Sequence, residues 1–328
     1  MSLSTLFRHY LSPLRSSDGR IRYYNFWNRQ APDDIWFTAF LHSRGFLERF
    51  PRACFVFFSS LGSINVLRLD TLMHPFSRNR KRIYFNGENN HYPGFASYLN
   101  NLLDYRAVDL SMGFDDVKHP RYLRFPLWLL EMFPPDLSVD DIHRICDRLS
   151  HQHWDPSLRN RFCALVSGNR GPDDPGAQMR TRIVKSLTHI DAVDCAGKLL
   201  HNTDELKVRF GDNKAEYLKQ YRFYICPENA SVEGYVTEKV FHCIGSGCIP
   251  IYWGANGDPE PDVLNQDAIL FWEKDSDNEA LLGKVQELYD NEQLYREFFE
   301  QPRLKEGAWE VVTDYFFALE RKLNELFK

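Results

Sequence analysis

The sequence predicts an α/β protein built around parallel sheets, and three observations carry that reading. Residues 221–254 run YRFYICPENASVEGYVTEKVFHCIGSGCIPIYWG: an apolar strand, a polar turn, a helix with two distinct faces and a second buried strand. The first half of the chain alternates short apolar runs with amphipathic ones, as expected of strands whose two faces are covered by helices. At 328 residues there is room for two domains, each large enough to bury its own core.

In chain order, IRYYNFW reads as a strand, and Asp33 and Asp34 open a helix that continues through IWFTAFLHSRGFL. ACFVFFSS and RIYFNGEN are the next two strands, and a further strand covers residues 107–114. A proline-rich, charged stretch over residues 134–158 holds one short helix, opened by Ser138 (SVDDIHRICDRLS). FCALVSG then begins a new buried strand, which places the domain boundary near residue 155, with domains over 1–154 and 155–328. The second domain continues with a helix over residues 180–189, further strands and helices, and two amphipathic helices over about 278–299 and 309–327. In the last of these, Val312, Tyr315, Phe316, Leu319, Leu323 and Phe327 form an apolar stripe that reads as core. A helix crossing back to the first domain and one lying on a membrane surface are both compatible with it.

Composition narrows the class. With 43% hydrophobic and 26% charged residues the chain is an ordinary globular one, which excludes disordered and fibrous proteins. A net charge of −5 argues against a dedicated nucleic-acid binder. The seven cysteines are odd in number, scattered, and set mostly within apolar patterns, so they read as reduced core thiols in a cytosolic setting; they lack the paired spacing of a zinc site. MSLSTLFRHYLSPLRSS is too polar for a signal peptide, and no long apolar run is present.

Within the 221–254 unit, Tyr235, Glu238, Lys239 and His242 fall at helical spacing on one polar face, beside an apolar face of Val236, Val240, Cys243 and Ile244. Ligands of such units collect outside the carboxyl ends of the strands, where the next helix favours an anion, and Asn229 and Tyr235 fall there. Lys239 suits a phosphate and Glu238 a ribose hydroxyl; the alternative is a surface helix supported by i, i+4 pairs. Glu88, in Asn86-Gly87-Glu88-Asn89 after the strand IYF, sits at the carboxyl edge of the first sheet, where either a general base or a plain turn residue fits.

These residues resemble a known family. CPENASVEGYVTEK followed by SGCIPIYWG is similar to the signature of the α1,3-fucosyltransferases of glycosyltransferase family 10. The likeness extends to RIYFNGEN (82–89), VDLSMGFDD and RYLRFPLW (108–128) and MRTRIVKSL (179–187), about two thirds of the chain in the same order. Pro227 and Ala230 depart from it, standing where an aromatic residue and Ser or Thr are usual.

The resemblance implies a GT-B fold, two Rossmann-like domains facing a cleft. It implies an inverting fucosyltransferase that moves L-fucose from GDP-fucose to a hydroxyl, O3, of N-acetylglucosamine in an N-acetyllactosamine-type or other glycan acceptor. Glu88 is then the catalytic base, and Arg180, Asn229, Tyr235, Glu238 and Lys239 bind the donor. Arg180 and Lys239 face the β-phosphate that gathers charge as GDP departs. The chain resembles a bacterial member, expected in the cytoplasm, with peripheral contact to the inner membrane as a further option. Asp275-Ser276-Asp277 resembles a metal-binding Asp-x-Asp but precedes NEALLGKVQELY and reads as a helix cap. No obligatory metal is therefore expected, with stimulation by Mg²⁺ or Mn²⁺ left open. Gly245-Ser246-Gly247 closes a helix and is no dinucleotide fingerprint. The dense basic run 78–82 reads as a solvated approach to its strand, with a hold on an anionic lipid-linked acceptor or a membrane surface as the alternative. Acceptor-binding loops are expected in the first domain between the matched motifs, for example around residues 91–99. Two rivals stay open: a transferase of the same architecture using another nucleotide sugar, and a non-catalytic nucleotide-sugar-binding protein.

Overall fold

A computed structural model of the chain describes residues 2–26, 31–75, 77–89, 91, 107–152, 155, 158–168, 171 and 174–328. The chain divides into two compact units, Met1–Val139 with Thr313–Lys328, and Asp140–Val312.

Among the described residues the first unit holds six strands in sequential order: β1 (Leu14–Arg15), β2 (Ile21–Tyr24), β3 (Cys54–Phe58), β4 (Arg80–Phe85), β5 (Leu110–Gly113) and β6 (Tyr122–Arg124). β1 is antiparallel to β2 and every other pair is parallel. Aromatic residues from neighbouring strands stack in register. Tyr23 faces Phe57 with ring centroids 5.1 Å apart, and Tyr24 faces Phe58 at 5.2 Å. The end of the Ala308–Glu325 helix completes this core, because Phe316 sets its edge on Trp36 and Phe40, and Phe327 beyond the helix stacks on Phe50 at 3.8 Å. The stripe read from the sequence is thus core: Val312, Phe316, Leu319 and Leu323 are buried.

The second unit holds a five-stranded, wholly parallel sheet in the order β11-β10-β9-β7-β8. Its strands are β7 (Arg161–Leu165), β8 (Val193–Cys195), β9 (Tyr221–Ile225), β10 (Ile249–Tyr252) and β11 (Leu270–Phe271). One apolar cluster gathers Cys163, Ile183, Phe223, Ile251 and Val285 with Tyr295 and Phe299. All seven cysteines are free thiols, and six are buried.

Several elements differ from the sequence reading. The helix after Asp34 stops at Ser43, because Gly45 adopts a left-handed φ of 64° and a short second helix, Phe46–Arg49, follows. The division between units falls at Val139, before the Val139–Ser150 helix, rather than near residue 155. That helix packs within the second unit: the Ser150 carbonyl accepts from the Arg303 N–H at 3.0 Å, and His143 meets Trp309 edge to face. The helix carrying Arg180 starts at Pro175, and the 278–299 helix is two, Glu279–Asp290 and Glu292–Phe299, broken at Asn291, which caps the second. The helices Leu3–Leu11 and Asn65–Met73 had no sequence counterpart. The basic run 78–82 is solvated only at its start: Arg78 and Asn79 are exposed, but Arg80 and Arg82 both bond the fully buried Asp70 on the Asn65–Met73 helix.

Candidate active site

In the second unit the neighbours of β7 are β8 and β9, so the chain leaves β7 first to one side and later to the other. The crevice outside the carboxyl ends of β7 and β9 is therefore a topological switch point, where open α/β sheets bind ligands. Two segments meet there. The Pro175–Leu187 helix follows β7; Asp174 caps it, accepting from the Ala177 N–H at 2.8 Å, and Pro175 takes the first position, where a missing N–H costs nothing. Cys226 to Asn229 follow β9. Arg180, in the second turn of the helix rather than at its start, is buried and ties the two together. Its Nη2 donates to the Pro227 carbonyl at 2.8 Å and to Asn229 Oδ1 at 3.2 Å. Gly176 makes the approach feasible, since a Cβ there would lie 2.9 Å from both Arg180 Nη1 and the Asn229 Cα.

The next helix, Glu238–Gly245, starts later than its periodicity predicts. Tyr235 and Val236 lie in the preceding loop, both buried, because Thr237 is extended (φ −111°, ψ −166°) and forms the N-cap. The polar face therefore comprises Glu238, Lys239 and His242, and Tyr235 belongs to the entry loop. Glu228 causes this: its buried carboxylate accepts from the Thr237 N–H at 2.8 Å, as a capping-box carboxylate does, but from the end of β9. The same carboxylate accepts from Thr237 Oγ1 and from Lys239 Nζ, each at 2.8 Å.

Around this start the charges alternate. Burial works to raise the Glu238 carboxyl, but Lys239, with His242 and Lys214, outweighs it and holds the group below its ordinary value. His242 is lowered by burial and by the same two lysines, against the pull of Glu238. Lys214, on the Lys214–Leu218 helix, lies 5.0 Å from the Tyr224 ring centroid; burial works to lower its pKa, yet Tyr224 and Glu238 raise it overall.

In the first unit Glu88 does lie just past β4, at the carboxyl edge. Asn86, fully buried, continues the ladder by donating its N–H to the Met112 carbonyl at 3.1 Å. Its side chain holds the turn: Asn86 Oδ1 accepts from Glu88 N–H at 3.1 Å and from Ser60 Oγ at 2.5 Å. Nearby, His91 Nε2 lies 2.6 Å from Asp115 Oδ1. The rest of the acceptor segment expected over 91–99 falls outside the described residues. Among the described residues, no group of three His, Cys, Asp or Glu is placed to hold a metal ion.

The structure thus brings Arg180 and Asn229 into direct contact, sets Glu238 and Lys239 side by side, and keeps Tyr235 in the adjoining loop. Sequence reasoning missed Glu228, Thr237 and Lys214. Glu228 carried one signal, a charge close behind the apolar strand YRFYIC; Lys214 sits in the polar segment GDNKAEYLKQ and carried none.

Comparison with known proteins matches both units. The model for the alpha-(1,3)-fucosyltransferase FucT N-terminal domain covers residues 21–131, and that for glycosyltransferase family 10 (fucosyltransferase) C-term covers residues 158–314. The alpha-(1,3)-fucosyltransferase FucT of Helicobacter pylori is 32% identical over 197 residues, 54% of this chain and 38% of that one. The GDP-fucose protein O-fucosyltransferase 3 of Xenopus laevis is 32% identical over 149 residues, 44% of this chain and 31% of that one. These alignments span well under half the length of either relative. A crystal structure of an α1,3-fucosyltransferase superposes with a TM-score of 0.56 at 20% identity, covering 98% of this chain and 97% of the other. Another, with GDP-fucose, gives 0.50 at 22% identity over 81% and 77%. The two parallel α/β units are those of a GT-B glycosyltransferase. Within that class, the chain belongs to glycosyltransferase family 10, the fucosyltransferases.

Proposed function

We propose that the protein is an inverting fucosyltransferase that transfers L-fucose from GDP-fucose to O3 of N-acetylglucosamine in a glycan acceptor. The observation that carries this reading is the switch-point cluster, in which buried Arg180 is bonded to Asn229, and Lys239 stands at the start of the Glu238–Gly245 helix. Two cations beside a helix N-terminus suit a diphosphate, and Glu238 suits a ribose hydroxyl. In the reaction the acceptor oxygen attacks the anomeric carbon of fucose, the bond from that carbon to the β-phosphate oxygen breaks, and its electron pair leaves with GDP. Glu88 takes the hydroxyl proton. Arg180 and Lys239 stabilise the charge gathering on the β-phosphate, and Tyr235 and Asn229 complete the donor site. With two cations already supplied by the chain, no obligatory metal is needed, so turnover persists in EDTA and any gain with Mg²⁺ or Mn²⁺ comes from faster product release. Seven free thiols, six of them buried, suit the reducing cytoplasm.

The test is GDP release from GDP-fucose by the purified protein, with and without N-acetyllactosamine, for wild type, Glu88→Ala, Arg180→Lys and Lys239→Ala. Acceptor-dependent release is expected, abolished in Glu88→Ala while GDP still binds. Arg180→Lys loses most activity, because an ammonium cannot reproduce the guanidinium fork. Absence of GDP binding would overturn the reading. A second acceptor class is favoured by one observation, the protein O-fucosyltransferase among the relatives. Release with a hydroxyl-bearing polypeptide but with no sugar acceptor would assign that class instead.

A further inference from the structure

A carboxylate with no solvent contact must find its donors within the protein, and Glu228 is such a group, with no exposed surface. Three donors reach it at 2.8 Å: the Thr237 N–H on Oε1, and Thr237 Oγ1 and Lys239 Nζ on Oε2. Lys239 also donates to Thr237 Oγ1 at 2.6 Å, so glutamate, threonine and lysine close a triangle. The backbone around it is fixed as well. The Glu228 N–H donates to the Trp253 carbonyl at 2.8 Å, carrying the β9–β10 pairing past the strand ends. On its other side Gly254 passes so close that a Cβ there would lie 2.7 Å from Glu228 Cγ.

We propose that Glu228 is a positioning residue for the nucleotide sugar: through Thr237 and Lys239 it sets one ammonium at the start of the Glu238–Gly245 helix, ready for the terminal phosphate of GDP. The inference rests on the donor-site reading above and adds a residue to it; Glu228 itself touches no substrate. An ammonium has three N–H groups. Two are committed to Glu228 and Thr237, which leaves a third for a phosphate oxygen. Because the lysine is held before the ligand arrives, binding requires no reordering of a long, mobile side chain. Burying an ion pair is seldom a net source of stability, so position is the better account of a carboxylate placed here.

Glu228→Gln keeps the volume and an oxygen for the Thr237 N–H. Its amide hydrogens would face the ammonium, donor against donor, and drive Lys239 from its place. The measurement is calorimetric affinity for GDP and for GMP, which lacks the β-phosphate, on wild type, Glu228→Gln, Lys239→Ala and the double variant. The expected result is GDP weakened about tenfold or more in Glu228→Gln, with GMP changed less than about threefold, the size of one lost charge-assisted contact. The double variant should bind GDP no worse than Lys239→Ala alone, since both changes remove the same contact. If Glu228→Gln fails to fold, Thr237→Val removes the bridging hydroxyl at constant shape, and the same selective loss of GDP is expected. Equal losses of GDP and GMP, unchanged or tighter GDP binding, or additive losses in the double variant would each overturn the proposal while leaving the donor site in place. A wild type that binds neither nucleotide would remove the donor site itself.

Discussion

Asn86 grips the backbone of Glu88 from two sides: its Nδ2 donates to the Glu88 carbonyl at 2.7 Å, and its Oδ1 accepts from the Glu88 N–H at 3.1 Å. Ser60, just past β3, adds a hydrogen bond to the same Oδ1 at 2.5 Å. The turn is thereby tied to the neighbouring strand end. The carboxyl edge of the first sheet presents Glu88 on a fixed backbone.

Replacing Asn86 with alanine should slow turnover while leaving nucleotide affinity unchanged. The substitution removes a shared partner from Ser60 and from both backbone groups of Glu88, and orphaning such a group typically costs about 1–3 kcal/mol. The residues proposed for the nucleotide lie in the other unit. GDP affinity from calorimetry, set beside acceptor-dependent GDP release, separates the two effects. A fall of about tenfold or more in release at constant GDP affinity is expected; parallel losses would mean that the whole unit had been damaged.

Gly176→Ala sets two effects of opposite sign against each other. Alanine inside a helix is worth about 1 kcal/mol over glycine, so propensity alone would stabilise the protein. The new Cβ, however, would stand 2.9 Å from the Asn229 Cα and 3.1 Å from its carbonyl oxygen, and backbone cannot swing aside as a side-chain tip can. The clash should win locally, pushing the β9 loop off the helix and breaking the bond from Arg180 to Asn229. Weaker GDP binding, by about tenfold, is expected with a melting temperature close to wild type. Undiminished GDP affinity would mean that the contact between Arg180 and Asn229 is not needed for the nucleotide.

Much of the framework was legible because burial writes itself locally. ACFVFFSS and CIPIYW are apolar on both faces, as strands inside a covered sheet must be. The parts that were not legible depend on partners distant in sequence. Tyr235 continues the helical spacing of Glu238, Lys239 and His242, and nothing nearby says that the helix waits for Thr237. That delay is imposed by Glu228, nine residues earlier. Arg80 and Arg82 look like a solvated patch until Asp70 is placed beneath them by a helix whose mixed sequence, NVLRLDTLM, gives a weak periodic signal. Asn229, Glu238, Lys239 and Glu88 could be selected as candidates from motif and residue type. Their supporting residues, Glu228, Asn86 and Lys214, could not be assigned roles, because a supporting role is a relation in space.

The buried cluster of Asp70, Arg80 and Arg82 makes the first unit sensitive to acid. Burial by itself would raise the Asp70 carboxyl above its ordinary value of 3.8, but hydrogen bonds and charge from Arg80 and Arg82 outweigh it and hold the group lower. A carboxylate whose folded pKa lies below its unfolded one contributes stability that is fully present above the unfolded value and is lost as pH falls through the folded one. Melting temperature should therefore be insensitive to this group near neutral pH and decline below about pH 4. Asp70→Asn leaves two guanidinium groups without their counter-ion in a buried site, which should cost roughly 3–5 kcal/mol at neutral pH. The variant should also lose this component of the acid decline, so wild type and variant curves converge as pH falls. Curves that stay parallel from pH 7 down to pH 3 would mean that Asp70 does not titrate with unfolding, and the acid sensitivity would have to be sought in another carboxylate.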